Sequence, residues 1–316
     1  MITIFSSPKP FVGHIDTIQR NALGSWLALG QDVEVLLVGD EKGVGGAAAE
    51  YGARHLPQVL RNEHGTPLLN SIFDLARRHA RHPLLCYVNA DVILMADLLP
   101  VVRQAAARFK RFLLVGRRWD LDIPQRLSFG PAWEQDLRER LVREGQLHPP
   151  TGSDYFVYPG SMFTRLPPFA LGRAGWDNWM IFAGRRAHVP VIDATEAVTV
   201  VHQVHDYSHL PDGKPHFRLP ESKKNVDMVG GRAAVFTIHD TTWACSPVGM
   251  ARKPWNDAGT SRALEAMIYA ALGAAPLVRV ARLILHPGAT FNYYRSAVGR
   301  RLGRLLGRHP SDAARR

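Results

Sequence analysis

The sequence predicts an α/β protein whose mainly parallel sheet is flanked by helices and followed by a helical basic tail. Three observations predict it. Short apolar runs alternate with stretches of helical spacing through residues 1–120. The helical stretches are long enough to serve as crossovers, which join parallel strands with a right-handed turn. Basic charge gathers at the end: of a net +11 over 316 residues, the segment from Ala274 onward holds +8, with nine arginines against the single acid Asp312.

The elements follow in order. Ile2 to Phe5 is an apolar strand, broken by Ser6-Ser7-Pro8-Lys9-Pro10. No basic stretch precedes it and no small-residue cleavage site follows, so it reads as a buried strand and not as a signal peptide. Ile15, Ile18, Ala22, Trp26 and Leu29 share a helical spacing. Val33 to Val38 is a strand closed by Gly39-Asp40-Glu41-Lys42-Gly43, Ala47 to Tyr51 a short helix, and His55 to Leu60 a brief strand. Leu69, Ile72, Phe73 and Ala76 fall on one helix face. Leu84 to Val88 is a strand, Leu98 to Phe109 a helix and Phe112 to Val115 a strand. A charged amphipathic helix carrying Trp133, Leu137 and Leu141 precedes Pro149-Pro150. Val189 to Ile192 and Ala197 to Val201 read as strands, and the polar stretch from Leu210 to Asn225 as an excursion or lid.

Parallel sheets bind ligands beyond the carboxyl ends of their strands. That rim carries Ser6-Ser7-Pro8, Gly39-Asp40 and Asn89-Ala90-Asp91, three polar loops straight after apolar strands. Composition narrows the class. Two cysteines, Cys86 and Cys245, are too few for a disulfide framework, which fits a reducing cytoplasm. No apolar run reaches the ~18 residues that cross a bilayer as a helix. With the tail set aside, the body carries little net charge and is not a basic nucleic-acid surface, so no nucleic acid is expected. Gly-x-Gly-x-x-Gly, the P-loop, the Gly-x-Ser-x-Gly elbow and His-Glu-x-x-His are all missing.

Four groups carry candidate chemistry. Asp91 is a lone carboxylate delivered by an apolar strand, and one carboxylate plus substrate phosphates is a normal setting for Mg²⁺ or Mn²⁺; it reads otherwise as a cap for the next segment. Asp177 lies between Trp176 and Trp179. Tryptophan faces stack on sugar rings and dehydrate a neighbouring carboxylate, which raises its pKa and makes it a better base. The other reading is a helix start with Asp177 in its first turn and Trp179 in the core. In His202-Gln203-Val204-His205-Asp206, an extended chain points the two histidines to opposite sides; His205, beside an acid that orients it, is the better metal ligand. Asp154-Tyr155 reads equally as a contact for acceptor hydroxyls or as a turn.

Taken in order, these pieces resemble the GT-A-fold nucleotide-sugar glycosyltransferases, family-2-like, over residues 1 to about 207. The resemblance implies a transferase that moves a sugar from a nucleotide-sugar donor to a carbohydrate or lipid-linked acceptor, as in polysaccharide biosynthesis, with a divalent cation, Mn²⁺ or Mg²⁺. It implies that Ser6, Pro8, Asp40, Thr66, Asn70 and Asn89 hold the donor, Asp40 through the base. Asp91 and His205 become metal ligands. Asp154, Tyr155, Trp176 and Trp179 face the acceptor, and Asp177 is the general base of an inverting displacement. The first acid of the usual metal motif is Asn89 here, which weakens metal affinity while still offering a carbonyl oxygen. The expected division is a catalytic domain over 1–250 (donor half 1–118, acceptor half 119–207, connecting segment 208–250) and a basic amphipathic region over 251–316.

Leu302, Leu305 and Leu306 lie among Arg300, Arg301, Arg304 and Arg308 at helical spacing, and Phe291, Tyr293 and Tyr294 suit a lipid interface. This predicts a cytoplasmic protein with peripheral contact to anionic membrane. A packed or solvated basic helix fits the same pattern. The competing function is a non-catalytic nucleic-acid or membrane-binding module working through the tail. A nucleotidyltransferase would carry a Gly-rich basic loop near its start, and Ser6 to Val12 is not one.

Overall fold

Each apolar run of the first half buries itself as a strand. The computed structural model describes residues 1–205, 219–229, 235–255, 257, 259–272 and 284–285. The strands are β1 (Ile2–Ser6), β2 (Val33–Val38), β3 (Arg54–Leu56), β4 (Leu84–Val88), β5 (Val92–Leu94), β6 (Leu113–Val115), β7 (Trp119–Leu121), β8 (Gln146–Leu147), β9 (Tyr155–Pro159), β10 (Val191–Asp193), β11 (Val200–Gln203), β12 (Trp243–Ser246) and β13 (Gly249–Arg252). The helices are α1 (Gly13–Ala28), α2 (Val44–Tyr51), α3 (Leu69–His79), α4 (Leu98–Arg108), α5 (Trp133–Glu144), α6 (Trp176–Arg186), α7 (Pro220–Met228) and α8 (Thr260–Leu272).

The central sheet has the order β13-β12-β10-β6-β9-β4-β1-β2-β3. β1 pairs in parallel with β2 and β4, and β6 in parallel with β10. Helices cover both faces, so the strands read as continuous apolar runs rather than alternating ones. One core, holding Ile4, Trp26, Leu37, Val88 and Leu114, lies on one face, and a second, holding Phe5, Phe73, Tyr87, Tyr158 and Trp176, on the other. The expected α/β architecture with a mainly parallel sheet is present.

Three features depart from expectation. β9 runs antiparallel between β4 and β6 in the middle of the sheet. Its amino end therefore arrives at the rim where the parallel strands leave off. A second sheet, β5-β11-β7-β8, hangs below that rim; its strands are two to four residues long, too short to show a period. The boundary at 250 also fails as drawn, because β13 spans Gly249–Arg252 and pairs with β12, which pairs with β10. The hairpin belongs to the central sheet, and α8 buries Ala266 and Tyr269 in the same core as α6. Minor shifts are physical: α2 starts at Val44, capped by Gly43 at φ 89, where a Cβ would meet the Phe11 Cβ at 2.8 Å.

Among the described residues no helix is long and apolar enough to cross a membrane. Asp206 and the tail pattern of Phe291, Tyr293, Tyr294 and the leucines and arginines after 295 lie outside the described residues, as does the larger part of the excursion from Leu210; its end is α7.

Candidate functional site

The rim between β1, β4 and the small sheet gathers the first cluster. Asp91 follows β4 and sits one residue before β5. β5 pairs antiparallel with β11 so that Val92 faces His202, and the Gln203 N–H donates to the Asp91 carbonyl at 3.1 Å. Asp91, His202 and His205 thereby bring one ligand atom each within 4.8 Å of one another. The expectation that the two histidines point apart is corrected here. β11 ends at Gln203, so strict alternation stops before His205 and its ring turns back to meet Asp91 Oδ2 at 3.1 Å.

Two residues that sequence reasoning passed over complete this cluster. Lys9 donates from Nζ to Asp91 Oδ2 at 3.3 Å and lies 3.1 Å from His205 Nε2. Asp120 on β7 is the register partner of His202 on β11, which puts both side chains on one face. It accepts from His202 Nδ1 at 3.0 Å and meets His148 Nδ1 at 2.7 Å. A carboxylate on Nδ1 fixes the tautomer and aims Nε2 outward. Burial acts to raise the pKa of both acids. Lys9 and the His205 contact nonetheless hold Asp91 well below the usual carboxylate range, and the two imidazoles with Arg118 do the same for Asp120.

The second cluster stands at the amino end of β9 and the start of α6. Gly175 caps α6 at φ 102, where a Cβ would lie 2.8 Å from Val226 Cγ2, so the chain turns sharply and places Asp177 in the first turn. Asp177 is half-buried. Burial raises its pKa from 3.8 to about 6, the neighbouring Asp154 charge adds to this, and N–H groups of Asn178, Asp177 and Ser153 pull it back. Asp177 thus opens a helix, as one reading expects, and burial dehydrates its carboxyl.

Arg118 joins the clusters. It donates to Asp120 Oδ1 at 2.9 Å and pairs with Asp154. Asp154 accepts from Asn89 Nδ2 at 2.6 Å, and Asn89 Oδ1 accepts from the Tyr87 hydroxyl at 2.9 Å. Burial raises the Tyr87 phenol far up, and the charges of Asp91, Asp154 and Asp177 all push it further. The Ser153 N–H that reaches Asp177 sets its carboxyl beside Asp154, next along this chain of contacts.

Other expected residues fare differently. The Asn89 amide is engaged at both ends, its oxygen by the Tyr87 hydroxyl and its nitrogen by Asp154. Trp176 is only 5% exposed, edge-on to Tyr87 at 5.0 Å and tilted on Phe156 at 5.4 Å. Tyr155 is fully buried with its hydroxyl against Gly116. Both are core side chains and offer no face to a sugar, which corrects their acceptor assignment. Asp154 is buried and committed to Asn89 and Arg118. Trp179 is half-buried against Phe169. Ser6, Ser7 and Pro8 are buried at the end of β1, and the Ser6 and Ser7 hydroxyls have no hydrogen-bond partner. Asp40 is exposed and paired with Arg61, which holds its pKa low. The Thr66 N–H donates to Asn62 Oδ1 at 3.0 Å. Asp40 and Asn70 line one groove of about 950 Å³ with Leu60, Phe163 and Arg165; Asp91, His202, His205 and Asp177 are not among its lining residues.

The metal expectation meets the donor chemistry. Asp91 Oδ1 is buried without a hydrogen-bond partner, and one carboxylate with two imidazoles is a mixed set that suits Mn²⁺ better than Mg²⁺, which favours oxygen alone.

No family model matches the chain, and no curated protein matches it. Solved structures do. Glucosyl-3-phosphoglycerate synthase from Mycobacterium tuberculosis, in complex with Mg²⁺ and uridine diphosphate, is 16% identical with a TM-score of 0.42, over 65% of this chain and 72% of that one. The same enzyme in another structure is 13% identical at TM-score 0.41, over 72% and 78%. S. aureus TarS residues 1–349 in complex with UDP-GlcNAc is 12% identical at TM-score 0.38, over 64% of this chain and 55% of that one. The chain thus spans about half the length of that TarS fragment.

Proposed function

We propose that the chain is a glycosyltransferase that moves a sugar from a nucleotide-sugar donor to a hydroxyl acceptor, with Asp177 as the general base. One observation carries this reading: a carboxylate and two imidazoles that could hold a cation are linked through Asp120, Arg118 and Asp154 to the neighbourhood of Asp177, whose carboxyl is raised to about 6. A base that is ionised at neutral pH yet close to it in pKa suits proton removal from an attacking hydroxyl. A bound Mn²⁺ or Mg²⁺ would offset negative charge on the departing diphosphate. Asp91, His202 and His205 would hold that ion, and Asp120 keeps the His202 ring aimed. Arg118 holds Asp154 and Asp120 in place between the two sides. Direct displacement opposite the leaving group gives inversion. Ser6, Pro8, Asp40, Thr66, Asn70 and Asn89 remain the donor-side residues of this reading, and Trp179 its acceptor-side aromatic. A lipid-linked acceptor and contact of the tail with anionic membrane rest on the arginine pattern of residues 276–309 alone.

The test is a screen of nucleoside diphosphate sugars for hydrolysis or transfer, with and without Mn²⁺. Asp177→Asn is expected to lose about 10²–10⁴-fold in turnover while keeping nucleotide affinity. Unchanged turnover removes Asp177 from the mechanism. A wild-type chain that turns over no donor in the screen removes the reading itself.

A further inference from the structure

The cation cluster already holds a positive charge of its own. Lys9 Nζ stands 3.3 Å from Asp91 Oδ2 and 3.1 Å from His205 Nε2, between two of the three ligand residues. Its place is built. Gln19 on α1 is 2% exposed, and it clamps the Lys9 backbone twice: the Lys9 N–H donates to Gln19 Oε1 at 2.6 Å, and Gln19 Nε2 donates to the Lys9 carbonyl at 2.9 Å. Pro8 and Pro10 stiffen the chain on either side. The side chain therefore leaves a fixed backbone directed at Asp91.

We propose that Lys9 is a resident counter-cation that a divalent ion must displace to reach Asp91 and His205. This rests on the cation-holding part of the proposed function and adds its control. A buried carboxylate stripped of water gains strongly from a cation at contact distance, so the ammonium and the ion compete for one seat. The displaced ammonium stays at the rim on its four-carbon stem, where it would offer its charge to an anionic donor. Cation binding and donor binding then favour each other, because the donor supplies the anion that Lys9 loses. This arrangement holds the carboxylate neutralised when neither ligand is present.

The experiment measures Mn²⁺ binding alone by the loss of the free-ion electron spin resonance signal, on the full chain and on Lys9→Met and Lys9→Gln. Both variants keep the backbone clamp by Gln19. The expected result is Mn²⁺ affinity raised about tenfold or more in both, the size set by removing a contact charge from a partly buried site. A larger Mn²⁺-induced rise in melting temperature than in wild type should accompany it. Adding Asp91→Asn should abolish the gain. Affinity that is unchanged, weaker or absent in the Lys9 variants overturns the proposal. Donor turnover is read separately, so turnover that persists while the Mn²⁺ prediction fails leaves the transferase reading standing.

Discussion

The surroundings of Asp91 and Asp177 push these two carboxyls in opposite directions. At the corner between β4 and β5, burial is overridden by Lys9 and the His205 contact, and the carboxyl is held ionised. In the first turn of α6, burial dominates, Asp154 adds a like charge, and the carboxyl rises to about 6. The helix start supplies N–H donors, which favour an anion, yet they do not offset the lost water. Two copies of one side chain become an electrostatic anchor and a base through their neighbours alone. Arg118 keeps the two environments distinct, since it neutralises Asp154 on one side and Asp120 on the other.

Removing Arg118 is the harshest way to break that difference. Arg118→Met leaves Asp154 and Asp120 without their cation, and breaking a buried pair costs about 3–5 kcal/mol. Denaturant unfolding should show that loss. The acid limb of the pH–rate profile should also move to higher pH, because an unneutralised Asp154 disfavours the charged form of Asp177. Asp120→Asn acts on the other side only. It should weaken Mn²⁺ binding by about 10–100-fold, read by titration, and leave the acid limb in place. The smallest effect sharpens the comparison through stability. The folded-state pKa of Asp177 lies above its ordinary 3.8, so the folded chain holds the proton more tightly than the unfolded one. Stability therefore falls as pH rises from about 4 to 6 and stays lower above that. Asp177→Asn removes the penalty, and its melting temperature should exceed wild type by a few degrees at pH 8, with no gain at pH 3.5.

The sheet was legible where strands are long and dry. β1, β2 and β4 are runs of five or six residues with almost every side chain buried, and such runs announce themselves. Asp40 and Asp91 stand just past the ends of β2 and β4. Of the small sheet only β11 was foreshadowed, by the run Ala197 to Val201, because the two or three residues of β5, β7 and β8 have no period to detect. Asp120 gains its meaning only from standing opposite His202, a register 82 residues apart in sequence. Lys9 was in view in the loop after β1, but nothing local says that its stem spans to Asp91. Trp176 misled for a different reason. The tryptophans around Asp177 suggested a sugar platform, whereas the turn at Gly175 directs Trp176 onto Tyr87 and Phe156. The dehydration of Asp177 that the tryptophans suggested is nonetheless present. The Asn89 amide ties Tyr87 to Asp154, a link that its place after β4 does not announce.

The reversed strand β9 ties the two flanks of the sheet together. It is bonded along its whole length to β4 and at its centre to β6, so the residues on its amino side are laced to both flanks of the sheet. Swinging one half away from the other would unzip that ladder through the middle of two cores. Relative motion of those flanks would therefore cost pairing on both edges of β9 at once.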